Sequence, residues 1–216
     1  MEEKKISQFL AELRQFLPSD RIYTDELRTL GWGTDASFYR QIPKVVIRSD
    51  GEEEIARIVS LCRKYQLPFT FRAAGTSLSG QSCTDSVLIV AGKHWEKFSV
   101  EFKTESGAFA TISQDNPTPK ANTELRIKLQ PGIVGARVNQ ILKPYGRVFP
   151  PDPASIGSAM VGGIVANNAS GMNCGVHANS DRMLISARII LTDGTVLDTG
   201  NEESRQSFQK SHPALI

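Results

Sequence analysis

Lys44-Val45-Val46-Ile47-Arg48 and Phe69-Thr70-Phe71-Arg72 bracket a stretch in which Ile55, Ile58, Val59 and Cys62 recur at helical spacing. The β-branched and aromatic runs suit strands, and the repeat between them gives a helix one apolar face. Ser49 and Glu52 stand at the spacing of a capping box, and Pro68 breaks the chain before the second strand. Strand, helix, strand predicts a βαβ crossover whose two strands form a parallel pair.

Upstream of this unit, Ile6, Phe9, Leu10, Leu13, Phe16 and Leu17 make another helical stripe, which Pro18 stops. Residues 21–39, with Gly31-Trp32-Gly33, read as short helix and loop. Downstream, strands are expected at 87–90, 98–102 and 108–112, the last two joined by a turn at Thr104-Glu105-Ser106-Gly107. The proline-bearing segment 113–122 reads as an exposed loop. Leu125, Ile127 and Leu129 alternate with Arg126 and Lys128 in a half-buried strand that Pro131-Gly132 ends. Val134, Val138, Ile141 and Leu142 then mark a helix, and Thr192-Asp193-Gly194-Thr195 is a hairpin turn between 184–191 and 196–197. The sum is an α+β fold of two small subdomains meeting near residue 100.

The chain has 216 residues, and its 25 Lys+Arg against 23 Asp+Glu leave a formal charge of +2. Such balance gives no electrostatic reason to expect nucleic acid or an acidic membrane surface as partner. With 40% hydrophobic residues the composition is that of a globular chain, which at this size buries roughly 70% of its unfolded surface. The cysteines, Cys62, Cys83 and Cys174, are odd in number and lack a C-x-x-C pair, which argues against a disulfide framework or a cysteine-rich metal centre. His94, His177 and His212 have no Cys or carboxylate at ligand spacing, so no metal site is expected. Cys62 reads as a small buried hydrophobe, and Cys83 as an exposed residue after the loop described next. The N-terminus has no apolar leader, and no apolar run approaches the roughly 18 residues of a membrane span. The expected location is the cytosol, with peripheral attachment to an inner membrane through an electron acceptor as the alternative.

Two glycine-bearing segments carry the chemistry. The first, Arg72-Ala73-Ala74-Gly75-Thr76-Ser77-Leu78-Ser79-Gly80-Gln81, leaves the carboxyl end of a predicted parallel strand, where α/β sheets bind ligands. Its small residues let a ligand approach the backbone, and its N–H and hydroxyl groups can cradle a diphosphate. A surface turn accounts for the same residues equally well. The spacing also resembles a P-loop, but Gln81 stands where that motif needs Lys, so nucleotide hydrolysis is not supported. Arg72 suits either a phosphate or a solvent-facing salt bridge.

The second segment runs Pro150-Pro151-Asp152-Pro153-Ala154-Ser155-Ile156-Gly157-Ser158-Ala159-Met160-Val161-Gly162-Gly163-Ile164-Val165-Ala166-Asn167-Asn168-Ala169-Ser170-Gly171. Gly162 and Gly163 inside a helix cost about 1 kcal/mol each against Ala, a cost accepted where another group must come close. Asn167, Asn168 and Ser170 offer partners for heteroatom-rich rings and phosphates. A tight packing contact followed by a helix end is the alternative. Asp152 either orients N–H groups or caps the next turn.

This pair of segments resembles the FAD-binding domain of the p-cresol methylhydroxylase/vanillyl-alcohol oxidase superfamily, in particular the FAD-linked D-2-hydroxyacid dehydrogenases. That group includes D-lactate and D-2-hydroxyglutarate dehydrogenases and the glycolate oxidase flavin subunit. Residues 73–81 look like the family's GGGTS-like diphosphate loop, with Ala73 and Ala74 in place of two glycines. The later segment looks like its PPDP…GG…ANNASG stretch. The resemblance covers the chain from about Tyr23 onward. Tyr23-Thr24-Asp25-Glu26-Leu27-Arg28-Thr29-Leu30, Gly33-Thr34-Asp35-Ala36-Ser37-Phe38-Tyr39-Arg40 and Gly171-Met172-Asn173-Cys174-Gly175 are similar to a subgroup fused to a C-terminal iron–sulfur domain.

The resemblance implies FAD as cofactor, a PCMH-type fold, and oxidation of a D-2-hydroxyacid to its 2-oxoacid. Electrons would leave to a downstream carrier such as the iron–sulfur domain. It assigns cofactor contacts to Arg72, Ala73, Ala74, Gly75, Thr76, Ser77, Leu78, Ser79, Gly80 and Gln81. It adds Pro151, Asp152, Ser155, Ala159, Gly162, Gly163, Asn167, Asn168, Ala169, Ser170 and Gly171. Cys174 and His177 are expected in structural or pocket-wall roles, not as covalent flavin anchors. The expected division is a helical extension over 1–40, a first FAD-binding subdomain over 41–100 and a second, incomplete one over 101–216. Family members continue with an EGTLG-like flavin segment and a cap domain that carries the catalytic residues. The sequence therefore looks like an N-terminal fragment with no acid, base or nucleophile of its own. A degenerate flavin fold serving only assembly is the alternative.

Overall fold

The computed structural model describes residues 2–91, 94–113, 119–120 and 122–215. In chain order the elements are α1 (Glu2–Leu13), β1 (Ile22–Tyr23), α2 (Glu26–Gly31), β2 (Val45–Ser49), α3 (Glu52–Tyr65), β3 (Phe69–Arg72), β4 (Val87–Ala91), β5 (Phe98–Lys103) and β6 (Phe109–Thr111). They continue with β7 (Leu125–Leu129), α4 (Gly135–Leu142), α5 (Val161–Ala166), α6 (Ser180–Met183), β8 (Arg188–Ile190), β9 (Val196–Asp198) and α7 (Glu202–Ser211). The fold is α+β, as expected. The loop expected at 113–122 falls mostly outside the described residues.

Strands β2 and β4 are apolar at nearly every position, as strands covered on both faces must be. Val45, Ile47, Val87 and Ile89 point to one side, where α1, the turn after it and α3 lay Phe9, Leu13, Leu17, Ile58, Val59 and Cys62 on them. Val46, Leu88 and Val90 point to the other side, toward Tyr23 and Trp32. The strand order is β1-β2-β4-β3. β2 and β3 are parallel, but each pairs with β4, which lies between them. The expected direct pair is thus corrected. The stretch after β3 is long enough to carry the chain back into the gap that the α3 crossover leaves.

The capping box is also corrected. Ser49 belongs to β2, its hydroxyl donates to the Val90 carbonyl, and Trp95 Nε1–H donates to the Ser49 carbonyl at 2.8 Å. The helix starts at Gly51, and Glu54 reaches back to the Asp50 N–H at 2.9 Å. Arg21 holds that same carboxylate in a fork, with Nη1 and Nη2 at 2.9 and 2.8 Å, and also donates to Asp50. The segment before β2 is thereby anchored to α3.

A second, antiparallel sheet has the order β6-β5-β7. Ile127 and Leu129 of β7 pack on Val138 and Leu142 of α4 and Val161 of α5. The hairpin β8–β9 forms at Thr192–Thr195 as expected, but it leans on α3. There Arg188 forks onto Glu52, and the Ser60 hydroxyl donates to the Asp193 carbonyl. No helix among the described residues is long and apolar enough to cross a membrane.

Candidate functional site

The loop after β3 bends away from the sheet at Gly75, whose φ of +71° suits a residue without a Cβ. Among the described residues, the N–H groups of Gly75, Thr76, Ser77 and Leu78 meet no protein acceptor. Successive free amides beside a left-handed residue form an anion-receptive concavity. Farther along, the Ser77 hydroxyl donates to Gln81 Oε1 at 2.9 Å and receives the Ser79 N–H. Gly80, at φ +71°, packs under the Tyr39 ring. No helix follows Gln81 and the chain runs on into β4, which further separates this loop from a P-loop.

Arg72 turns its guanidinium back under the loop. Nη1 donates to the carbonyls of Trp32 and Thr34 at 3.3 and 2.6 Å, and the group lies over the Trp32 ring. Its Nε is buried with no acceptor, and burial holds its pKa below the ordinary arginine value. Of the two expected roles, no salt bridge forms among the described residues. A half-buried cation with an orphaned donor fits an anion nearby.

The second segment is built from the backbone outward. Gly162 N–H donates to the Pro131 carbonyl, Val161 N–H to Ile133, and Gly135 N–H to Ala159. A Cβ at Gly162 would meet Pro131 Cβ at 2.7 Å, so this glycine serves a packing contact. Gly163 differs: its missing side chain faces Ala73, whose Cβ lies 3.7 Å from the place a Cβ would take. The two glycine-bearing segments therefore meet at Ala73 and Gly163.

Beyond these contacts, the Ser155 carbonyl closes a turn on Ser158 and Ala159, and Ala159 is buried. Pro151 is buried, and Asp152 Oδ2 accepts from Asn173 Nδ2 at 2.6 Å. Gly171 abuts the Asp152 carbonyl so closely that a Cβ there would run into it. Asn168, at φ +45°, accepts the Asp181 N–H, and the Ala169 carbonyl accepts from Ser180. Asn167 and Ser170 are exposed. Cys174 is buried against Gly171, while His177 is exposed.

Beside this meeting point lies a cleft of about 600 Å³ on the face of the first sheet opposite α1 and α3. Val90 and Ala91 form its floor, Ala73 and Ala74 one wall, and Met160 another. Tyr23, Trp32 and Arg48 close the side toward β1; Arg48 Nη1 donates to the Tyr23 hydroxyl at 3.3 Å and has no carboxylate partner among the described residues. Arg28 and Glu96 also line it, and like Tyr23, Trp32, Arg48 and Met160 they were not foreseen as lining. The signal available was position, since Val90 and Ala91 end a central parallel strand. A second hollow, about 560 Å³ between α1, α3 and the β8–β9 turn, has Lys64 paired with Glu12 and Asp193 with His212, while Arg57 lies over the Phe16 ring. The histidine pair among these was not suggested by spacing.

The expected exposure of Cys83 is corrected. It is 8% exposed beside Arg72 and Asp35, and burial raises its pKa. Cys62 is buried in the first core, its thiol pushed up to about 12 by burial. No group of three or more metal-ligating side chains occurs among the described residues.

A family model for an FAD binding domain matches residues 43–200. D-2-hydroxyglutarate dehydrogenase of Haemophilus influenzae is 27% identical over 201 residues, which are 91% of this chain and 18% of that protein. Glycolate oxidase subunit GlcD of Escherichia coli is 27% identical over 197 residues, 89% of this chain and 35% of that one. The chain thus spans well under half the length of these relatives. Among solved structures, p-cresol methylhydroxylase with substrate bound has a TM-score of 0.64 at 11% identity, over 91% of this chain and 35% of its own. An alkyldihydroxyacetonephosphate synthase has 0.65 at 18%, over 92% and 35%. These two share the fold.

Proposed function

The chain belongs to the FAD binding domain family, and from that premise we propose that it holds FAD where the two glycine-bearing segments meet, within an enzyme that oxidises D-2-hydroxyacids. The observation that carries the reading is the contact of Ala73 with Gly163 beside a cleft that Ala73 and Ala74 help to line. In this reading the free amides of Gly75, Thr76, Ser77 and Leu78 bind the diphosphate, with Arg72 and Arg48 supplying positive charge. Ala73, Ala74 and Gly163, where the two segments touch, carry little side chain, so a flat ring system can lie alongside them. Exposed Leu78, Ser79, Gln81, Asn167 and Ser170 complete the contacts. Pro151, Asp152, Ser155, Ala159, Gly162, Asn168, Ala169 and Gly171 hold the second segment in shape.

Bound FAD supplies the two-electron acceptance that converts a 2-hydroxyacid to its 2-oxoacid. The chain's own residues bind, orient and desolvate; none is assigned as acid, base or nucleophile. One lobe is read over 41–100 and the other over 101–216, after a helical extension over 1–40. The relatives' names support the substrate class, D-2-hydroxyglutarate, glycolate or D-lactate. A downstream carrier such as an iron–sulfur domain would take the electrons, and a cytoplasmic site of action fits a chain with no candidate span among its described residues.

Titration of FAD into the purified chain, followed by flavin fluorescence and the visible spectrum, tests the cofactor site. Dye reduction by D-lactate, D-2-hydroxyglutarate and glycolate, assayed on the full-length protein containing this chain, tests the substrate class. Reduction by none of them overturns the substrate reading alone. Absence of FAD from both preparations overturns the whole.

A further inference from the structure

Residues 33–41 lie just upstream of the matched region and form a closed strap. Its base is tied by Gln41 N–H to the Gly33 carbonyl at 2.9 Å and by an antiparallel bridge between Thr34 and Arg40. From that base the strap reaches the loop after β3 at one residue after another. The Thr34 carbonyl takes Arg72 Nη1 at 2.6 Å. Ala36 N–H donates to the Gly75 carbonyl at 3.0 Å. Asp35 Oδ2 accepts from the Ser82 hydroxyl at 3.1 Å, and Tyr39 covers Gly80.

These bonds engage the loop's carbonyls, hydroxyls and guanidinium and leave its amides at 75–78 free. We propose that the strap is the positioning element of the diphosphate loop, and that Asp35 is its central positioning residue. The inference rests on the FAD reading above.

A carboxylate close to an anion's seat would repel it if it were free to turn. Asp35 is not free: Oδ1 accepts both the N–H and the hydroxyl of Ser37, at 2.8 and 2.5 Å, while Oδ2 holds Ser82. Burial pushes the Asp35 carboxyl up, but these donors outweigh it and keep its pKa below the ordinary value. The carboxylate stays ionised, turned toward fixed donors and with the Arg72 guanidinium within its field. What the strap supplies is a fixed turn: the Gly75 carbonyl is held by the Ala36 N–H, at a residue with φ +71°, and the following N–H groups meet no acceptor among the described residues. Preorganised donors bind an anion without the ordering cost a loose loop would carry.

The test uses the full 216-residue chain with Asp35→Asn, Ser82→Ala and the double variant. Calorimetric affinities for FAD and ADP are set beside the melting temperature and the NMR order parameters of amides 75–78 without ligand. Each single change is expected to weaken FAD and ADP about tenfold, with the double variant no worse than the weaker single. The melting temperature should move by less than about 4 °C, and the loop amides should lose order. Unchanged affinity in both single variants overturns the inference, and so does weakened affinity that merely tracks a lowered melting temperature. Should the parent chain bind neither FAD nor ADP, the cofactor reading falls. The loop amides then decide the strap separately: unchanged order removes it as a positioning element, and lost order keeps it.

Discussion

Gly163 and Ala73 face each other with a gap that one methyl group would fill, the built Cβ lying 3.7 Å from Ala73 Cβ. Its neighbour Gly162 has no such gap, because Pro131 Cβ stands 2.7 Å from the equivalent point. Adjacent glycines in one short helix therefore give opposite outcomes. Gly163→Ala should raise stability by up to about 1 kcal/mol through helix propensity. Gly162→Ala should lower it by about 1–3 kcal/mol through overpacking against a proline that cannot swing aside. Gly163→Val, whose methyl groups enter the space shared with Ala73, should lose FAD at least tenfold. Thermal melts and FAD titrations on the variants check this, and FAD binding unchanged in Gly163→Val would remove Gly163 from the pocket.

All three cysteines are buried. Burial raises the pKa of Cys62 to about 12 and that of Cys83 above its ordinary value. Since the thiolate is the reactive form, a thiol reagent at pH 8 should label none of them within minutes in the native chain. All three should react once urea unfolds it. Rapid native labelling of Cys83 would mean that the loop after β3 opens far more readily than its bonds to Asp35 and Ala36 suggest.

Acid should loosen the C-terminal hairpin early. His212 Nε2 lies 2.9 Å from Asp193 Oδ2, and this pairing, with the Thr195 N–H, holds the Asp193 carboxyl well below the usual carboxylate range. Burial pushes Glu54 up, but the Arg21 fork and the Asp50 N–H outweigh it and leave it lowered too. A carboxylate with a depressed folded pKa adds stability above its unfolded value of about 4 and loses it as pH falls further. The melting temperature should thus hold from pH 7 to about 5 and drop below about 4. Asp193→Asn should speed amide exchange in β8, β9 and α7 at pH 7 while sparing β2 and β4. Equal exchange in variant and parent would show that the pair does not pin the hairpin.

Much of the fold was legible because its signals are side-chain periodicities. The unbroken apolar runs of β2 and β4 and the stripes of α1 and α3 all became core. Elements without a stripe were invisible: β1 has only Ile22 and Tyr23, and α7 has Phe208 as its single apolar residue. Strand order was not legible either, since a crossover fixes direction but not how many places it skips. At the candidate site, both glycine-bearing segments stood out in the sequence, and the structure brings them together at Ala73 and Gly163. The bonds that shape them run largely through main-chain groups, such as the Trp32, Thr34 and Asp152 carbonyls, and every residue type carries those.

The return of the hairpin to α3 has a mechanical result. The polypeptide leaves the first sheet after Ala91 and comes back through Arg188 and Asp193, so the halves flanking the cleft are stitched at two seams. A body sewn in two places cannot gape like a purse on one hinge. Parting the later chain from α3 would break the Arg188–Glu52 fork and the Ser60–Asp193 bond together.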